Sequence, residues 1–176
     1  MNLILLLLFI NIPMNNIKIF DFNSNSNINS WQIVNDVVMG GKSSSTITIN
    51  KDGHGQFSGT VSTENNGGFS SVRHTFKPVS VKKVSKICVL IKGDGKDYQL
   101  RIKDSYKTFY SYINTFSTSG KWQEIEILLS DMYPSFRGKK LSKPNFYHDA
   151  IEEVTLLIAN NKNEKFQLII DKIYLK

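Results

Sequence analysis

A chain of 176 residues is one domain by length, able to bury roughly two thirds of the surface its unfolded form exposes. Hydrophobic residues at 40% and aromatics at 11% exclude a disordered tail, and a single cysteine, Cys88 in the apolar run KICVLIK, excludes an internal disulfide and a cysteine-cluster metal site. The formal charge of +7 is carried mostly by lysine, with Arg73, Arg101 and Arg137 the arginines, so it reads as a lysine-coated surface and no nucleic-acid partner is expected.

Residues 3–12, LILLLLFINI, are an apolar run of signal-peptide length and too short for a transmembrane span. No basic residue precedes it, and Pro13, Met14, Asn15 and Asn16 offer no small-residue cleavage site. Residues 1–16 are therefore set apart as a possible signal or frayed extension, and residues 17–176 as the domain. The first arginine is Arg73, which argues against a mitochondrial presequence and for a cytoplasmic or exported protein of a bacterial-type cell.

From there the chain is punctuated like an all-β domain. KIFDF (18–22) is a short strand and NSNSNINS (23–30) a polar loop; WQIVNDVVMGGKSSS (31–45) is a glycine-rich irregular segment. TITI (46–49) and QFSGTVSTE (56–64) alternate around the turn KDGHG, and FSSVRHTF (69–76) returns after NNGG. KICVLIK (86–92), YQLRIKD (98–104), TFYSYINTF (108–116) and WQEIEILLS (122–130) follow, with GDGK and TSGK read as hairpin turns. MYPSFRGKKLSKP (132–144) is irregular, DAIEEV (149–154) is compatible with one helical turn, and VTLLIAN (154–160) and FQLIIDKIYL (166–175) close the chain across NKNEK. Period-two alternation with closely spaced Gly/Asn/Asp turns means antiparallel sheets, and about ten short strands in one domain predict a β-sandwich of jelly-roll type.

ENNGGFSSVR (64–73) carries more glycine than one turn needs. Asn66-Gly67 would supply the positive-φ positions of a tight hairpin, leaving Gly68 to mark a bulge or a close approach to the backbone. If Val72 and Phe76 face the core, Arg73 points away from it. VVMGG (37–41) poses the same puzzle, with Asp36 just before it and Met39 running into Gly40-Gly41. Two glycine-rich segments, each with one ionisable residue beside apolar neighbours, point to a clasp in which Asp36 pairs with Arg73.

Catalytic chemistry finds little purchase. His54, His74 and His148 are scattered, and no HExxH, nucleophile elbow or phosphate loop occurs. Asp94 offers a lone carboxylate in a turn, and no cofactor or metal is expected. Glu124 and Glu126 lie about 7 Å apart on one strand face, a spacing an inverting glycosidase could use, but the alternation reads better as a solvated face. Tyr110 and Tyr112 with Trp122 could stack sugars, or could roof the core, which suits a two-layer fold better.

NDVVMGGKS, ENNGGFSSVR, GDGKDY (93–98), KWQEIEI (121–127), YPSFRG (133–138) and FQLIIDKIYL, taken in this order, resemble the complex I intermediate-associated protein 30 family over about residues 18–176. Leu129 and Met132 stand where that family usually has proline and phenylalanine, an apolar exchange that alters packing. The resemblance implies a jelly roll of galactose-binding-like type and a non-catalytic assembly factor for respiratory complex I, whose partners are proteins of a respiratory or other membrane-associated complex. A carbohydrate-binding module is the alternative. The expected binding surface comprises Asp36, Met39, Gly40, Gly41, Asn66, Gly67, Gly68, Phe69, Arg73 and Arg137.

Overall fold

The computed structural model describes residues 16–176, so the apolar run and its reading as signal or extension lie outside the described residues. Thirteen strands are found there: β1 (Ile17–Asp21), β2 (Trp31–Asn35), β3 (Ser44–Ile49), β4 (Gly55–Val61), β5 (Ser70–Ser80), β6 (Lys86–Lys92), β7 (Asp97–Lys103), β8 (Ser111–Ser117), β9 (Trp122–Leu128), β10 (Tyr133–Phe136), β11 (Lys139–Lys140), β12 (Ala150–Ile158) and β13 (Glu164–Leu175). Strand accounts for 56% and short helical turns for 5%, which makes the protein all-β.

The strands form two antiparallel sheets packed as a jelly-roll sandwich. One runs β3-β4-β13-β6-β9, and the long strand β13 shares one edge between β4, along Glu164–Ile170, and β1, along Lys172–Leu175. The other runs β11-β10-β8-β7-β12-β5-β2. Val72, Leu100, Ile102, Val154 and Leu156 of the seven-stranded sheet meet Phe57, Ile87, Val89, Leu168 and Ile170 of the six-stranded one, all at most 1% exposed. Each such side chain contributes about 1.5–3 kcal/mol by leaving water. Leu129 and Met132 are both buried in this core.

Four turns expected to close hairpins instead carry the chain between sheets: NNGG links β4 to β5, GDGK links β6 to β7, TSGK links β8 to β9, and NKNEK links β12 to β13. Turn residues fix a reversal of direction, and in a sandwich the returning strand is antiparallel whether it joins the same sheet or the facing one. WQIVN, placed in an irregular segment, is the edge strand β2 beside β5. YPSF, also read as irregular, is β10, which hairpins with β11 at the opposite edge. Ala150–Val154 of DAIEEV belong to β12 and make no helical turn. A bulge between Ile151 and Glu153 sends Ile151 and Val154 to the same buried face, and that i, i+3 spacing imitates a helix.

Candidate functional site

The sheet β11-β10-β8-β7-β12-β5-β2 turns one face to the core and leaves the other open. On β5 the inward set is Val72, His74 and Phe76, so Ser71, Arg73 and Thr75 point outward. Strand register then assembles a row that no single strand reveals. Gln32 pairs with Arg73, Arg73 with Thr155, Thr155 with Arg101, Arg101 with Ile113, and Ile113 with Tyr133. Two residues along, on the same face, Glu153 sits between Thr75 and Lys103.

These outward side chains floor a cavity of about 640 Å³, within the range of ligand sites. Its lining includes Arg73, Arg101, Lys103, Glu153, Thr155 and Leu157, with Gly67, Gly68 and Phe69 at one end and Phe109, Phe136, Arg137 and Gly138 at the other. Phe109 and Phe136 meet edge to face, ring centres 5.2 Å apart, and the Arg137 guanidinium lies 5.3 Å over the Phe136 ring. The Arg101 Nε and Nη2 donate to Gln99 Oε1 at 3.1 and 2.6 Å, and burial pulls the guanidinium pKa down. Lys103 lies 3.9 Å from Glu153, whose Oε1 also accepts the Thr155 hydroxyl at 3.4 Å. Arg73 has its Nε buried without a hydrogen-bond partner.

Behind the Phe69 end sits Asp36, fully buried at the start of the short turn Asp36–Met39. Its Oδ1 accepts the Ser43 amide at 2.9 Å; its Oδ2 accepts the Ser43 hydroxyl at 2.5 Å and the Gly68 and Phe69 amides at 2.6 and 3.2 Å. Burial opposes its charge, yet these donors together hold its pKa below the usual carboxylate value. Here lies the reason for the surplus glycines. A Cβ on Gly41 would fall 2.4 Å from the Asp36 Cγ, and one on Gly67 would fall 2.6 Å from its Oδ2 and 2.8 Å from the Ser62 carbonyl oxygen.

The expected clasp between the VMGG and NNGGF segments therefore forms, but the expected Asp36–Arg73 pair does not: the partners of Asp36 are Ser43, Gly68 and Phe69, and Arg73 faces the opposite way, into the cavity. A carboxylate can be satisfied by backbone amides alone, an alternative that charge counting along the sequence overlooks. The turn also differs in detail. Asn65, Asn66 and Gly68 take the positive φ angles, while Gly67 is extended and is glycine for room.

Of the expected surface residues, Gly67, Gly68, Phe69, Arg73 and Arg137 line the cavity. Asp36 and Gly41 lie behind it as bracing, Met39 closes the Asp36–Met39 turn, and Gly40 ends it at φ 86, its carbonyl accepting Asn65 Nδ2 at 3.1 Å. Asn66 stands exposed at the tip of its turn. The tyrosine platform is not assembled: Tyr112 is buried in the core, bonded to His148 Nε2 at 2.8 Å, and Trp122 stands on the other sheet against His54. Glu126 is engaged by Lys86 at 2.6 Å and by Lys176, and Asp94 accepts Lys96, Tyr98 and the Gln167 amide, so both carboxylates hold structure together.

The model of the complex I intermediate-associated protein 30 family matches residues 20–170, from β1 into β13. The chain belongs to that family. No curated protein matches it in sequence. Among solved structures, a family 11 carbohydrate-binding module from Clostridium thermocellum, in complex with a β-1,3-1,4-mixed-linked tetrasaccharide, superposes with a TM-score of 0.67 at 22% identity, covering 91% of this chain and 94% of that one. The family 11 module of the cellulosomal cellulase Lic26A-Cel5E of the same organism gives 0.65 at 20% identity, covering 92% and 94%. An agarase, AgWH50C, gives 0.60 at 12% identity over 92% of this chain and 24% of that one. At these identities the likeness establishes a shared fold.

Arg101, Lys103, Phe109, Phe136, Glu153 and Thr155 were missed as site residues. The alternation of YQLRIKD does put Arg101 and Lys103 opposite core Leu100 and Ile102. That β7 and Arg73's strand flank the same neighbour, β12, follows from strand order, which the sequence does not spell out.

Proposed function

We propose that this member of the complex I intermediate-associated protein 30 family is a non-catalytic binding domain acting as an assembly factor. The outer-face cavity receives a protein partner belonging to a respiratory or other membrane-associated complex. The observation that carries this reading is the cavity's rim, where Phe109 is 63% exposed and Phe136 37% exposed, with Arg137 stacked on Phe136. Exposed aromatics beside arginine are the residue types that dominate protein–protein contacts. A binding role over catalysis is supported by the lining, whose one carboxylate, Glu153, is held by Thr155 and Lys103. The family's role in complex I assembly supplies the class of partner. Among the described residues no helix is long and apolar enough to cross a membrane.

A carbohydrate-binding module is the second reading, favoured by the family 11 modules that share the fold along nearly their whole length. Against it, Phe109 and Phe136 are nearly perpendicular, at 83°, and so do not present one flat platform to a sugar ring.

The test is a photo-crosslinking amino acid at position 109 or 136 of the full chain, expressed in its native cell. An adduct with a polypeptide of a membrane-associated complex is expected. Absence of any polypeptide adduct, together with calorimetric binding of the mixed-linked tetrasaccharide, would overturn the assembly reading in favour of the sugar one.

A further inference from the structure

The cavity's charge is unbalanced. Arg73, Arg101, Lys103 and Arg137 line it against the single carboxylate Glu153, and Glu153 lies nearest Lys103. Arg101 donates to Gln99, a neutral acceptor. Arg73 makes no side-chain hydrogen bond or ion pair among the described residues, and its Nε is sealed from solvent. A guanidinium nitrogen sealed from water without an acceptor is costly, and the half-buried Arg101 guanidinium on the same cavity wall has only a neutral acceptor, so the two point to a counter-charge supplied from outside. With β12 between their strands, Arg73 and Arg101 have Cα atoms about 10 Å apart, twice the strand spacing. That leaves room for a carboxylate to seat over Thr155 between two planar donor forks, the geometry arginine serves best.

We infer that the cavity takes the carboxylates of an extended acidic segment of a partner protein, gripped between Arg73 and Arg101 across Thr155, an inference that rests on the protein-binding reading above. Extended chain presents alternate side chains to opposite sides and neighbouring ones within a few ångströms. An acidic residue directed at the arginine row therefore carries an apolar neighbour to the Phe109–Phe136 edge, which adjoins the same cavity. A neutral glycan would bring hydroxyls but no charge to offset the guanidinium groups. An acidic glycan would offset them and leave the phenylalanine edge without an apolar side chain.

The probe is a fluorescein-labelled peptide of repeating Gly-Glu-Phe-Glu, titrated with the full chain by anisotropy, beside the Gln-for-Glu peptide, oligogalacturonate and the mixed-linked tetrasaccharide. The acidic peptide should bind, at least ten-fold more tightly than the Gln peptide, and weaken with added salt. Arg73→Met and Arg101→Met should each weaken it at least ten-fold, with circular dichroism confirming the fold. Arg137→Ser, on the exposed rim, should weaken it about three-fold and does not put the core at risk. Lys92→Ser, on the other sheet, should change nothing. Equal binding of the Gln peptide would overturn the acidic preference and leave the protein-binding reading standing. Binding of either glycan with no peptide binding would sink both, and failure of the acidic peptide to bind at all would overturn this inference while the crosslinking result decides the other.

Discussion

The Asp36 carboxylate accepts the Gly68 amide at 2.6 Å across 32 positions of chain, tying the turn that ends β2 to the turn that begins β5. Ser43 and Phe69 complete its set of donors, so a buried charge is satisfied without a counter-ion. Removing it in Asp36→Ala leaves several donors unpaired at once and should cost about 3 kcal/mol in denaturant unfolding. Gly41→Ala and Gly67→Ala should also destabilise, because the added methyl falls on the Asp36 carboxylate. In a double-mutant cycle, Asp36→Ala and Arg73→Ala should be additive to within about 0.5 kcal/mol. Coupling well beyond that would restore the ion pair that the structure lacks. The acid limb has a definite sign. The folded pKa of Asp36 lies below the 3.8 of an ordinary aspartate side chain, so its contribution is present above that pH and drains away as the pH falls below it.

His74 gives a second acid response in a higher window. It is buried and stacked on Trp31 at 5.0 Å, with Phe20 and Phe76 against its other sides, and its Nδ1 lies 3.3 Å from the Ser30 carbonyl, to which it donates. Burial lowers its pKa from 6.5, so the unfolded chain binds a proton more readily than the folded one. Stability is therefore full above pH 6.5 and declines as the pH falls through 6.5 toward the depressed folded value. Chemical unfolding at stepped pH should show this slope in the parent and lose it in His74→Phe. An identical slope in the variant would place the titrating group elsewhere.

How far these features were legible depends on what fixes them. The alternation of KICVLIK and YQLRIKD follows from burying one face of a strand, and those strands form within a residue or so of where the sequence puts them. β2 escaped because Trp31–Asn35 runs without a break into Asp36 and the VVMGG turn, whose glycines look like loop. The site was half legible for a related reason. Glycine surplus marked the Asp36 clasp, since close approach excludes a Cβ, but it said nothing about what approaches. The cavity depends on β5 and β7 meeting β12, and pairing between strands remote in sequence is set by tertiary packing rather than by local pattern.

Cys88 tests the rigidity of the opposite sheet. It is fully buried on β6, paired in register with Glu126 of β9, and burial together with the Glu126 charge pushes its thiol pKa up to about 11. Thiolate is the reactive form, so in the folded protein at pH 8 an aromatic disulfide reagent should leave Cys88 unmodified over hours and label it within minutes in denaturant. Prompt labelling under native conditions would reveal frequent opening of the β6–β9 pair.

Arg137 sets the cost of the site against the stability of the fold. It occupies the first position of the two-residue loop between β10 and β11, at φ 49, with Gly138 following at φ 76. Both angles belong to the tight turn that favours Asn-Gly, and a bulky side chain in the left-handed region costs about 1 kcal/mol. Its guanidinium recovers part of that over Phe136, about 0.5 kcal/mol for an exposed cation–aromatic contact. The strain is the larger of the two, so Arg137→Asn should stabilise the protein by about 0.5 kcal/mol in chemical unfolding. The same change removes a cation from the cavity rim and should weaken binding of the acidic peptide about three-fold. Gain of stability with loss of binding is the signature of a residue kept in a strained turn for contact with a partner. Stability that falls in Arg137→Asn, with peptide binding unchanged, would instead mean that the arginine serves the hairpin alone.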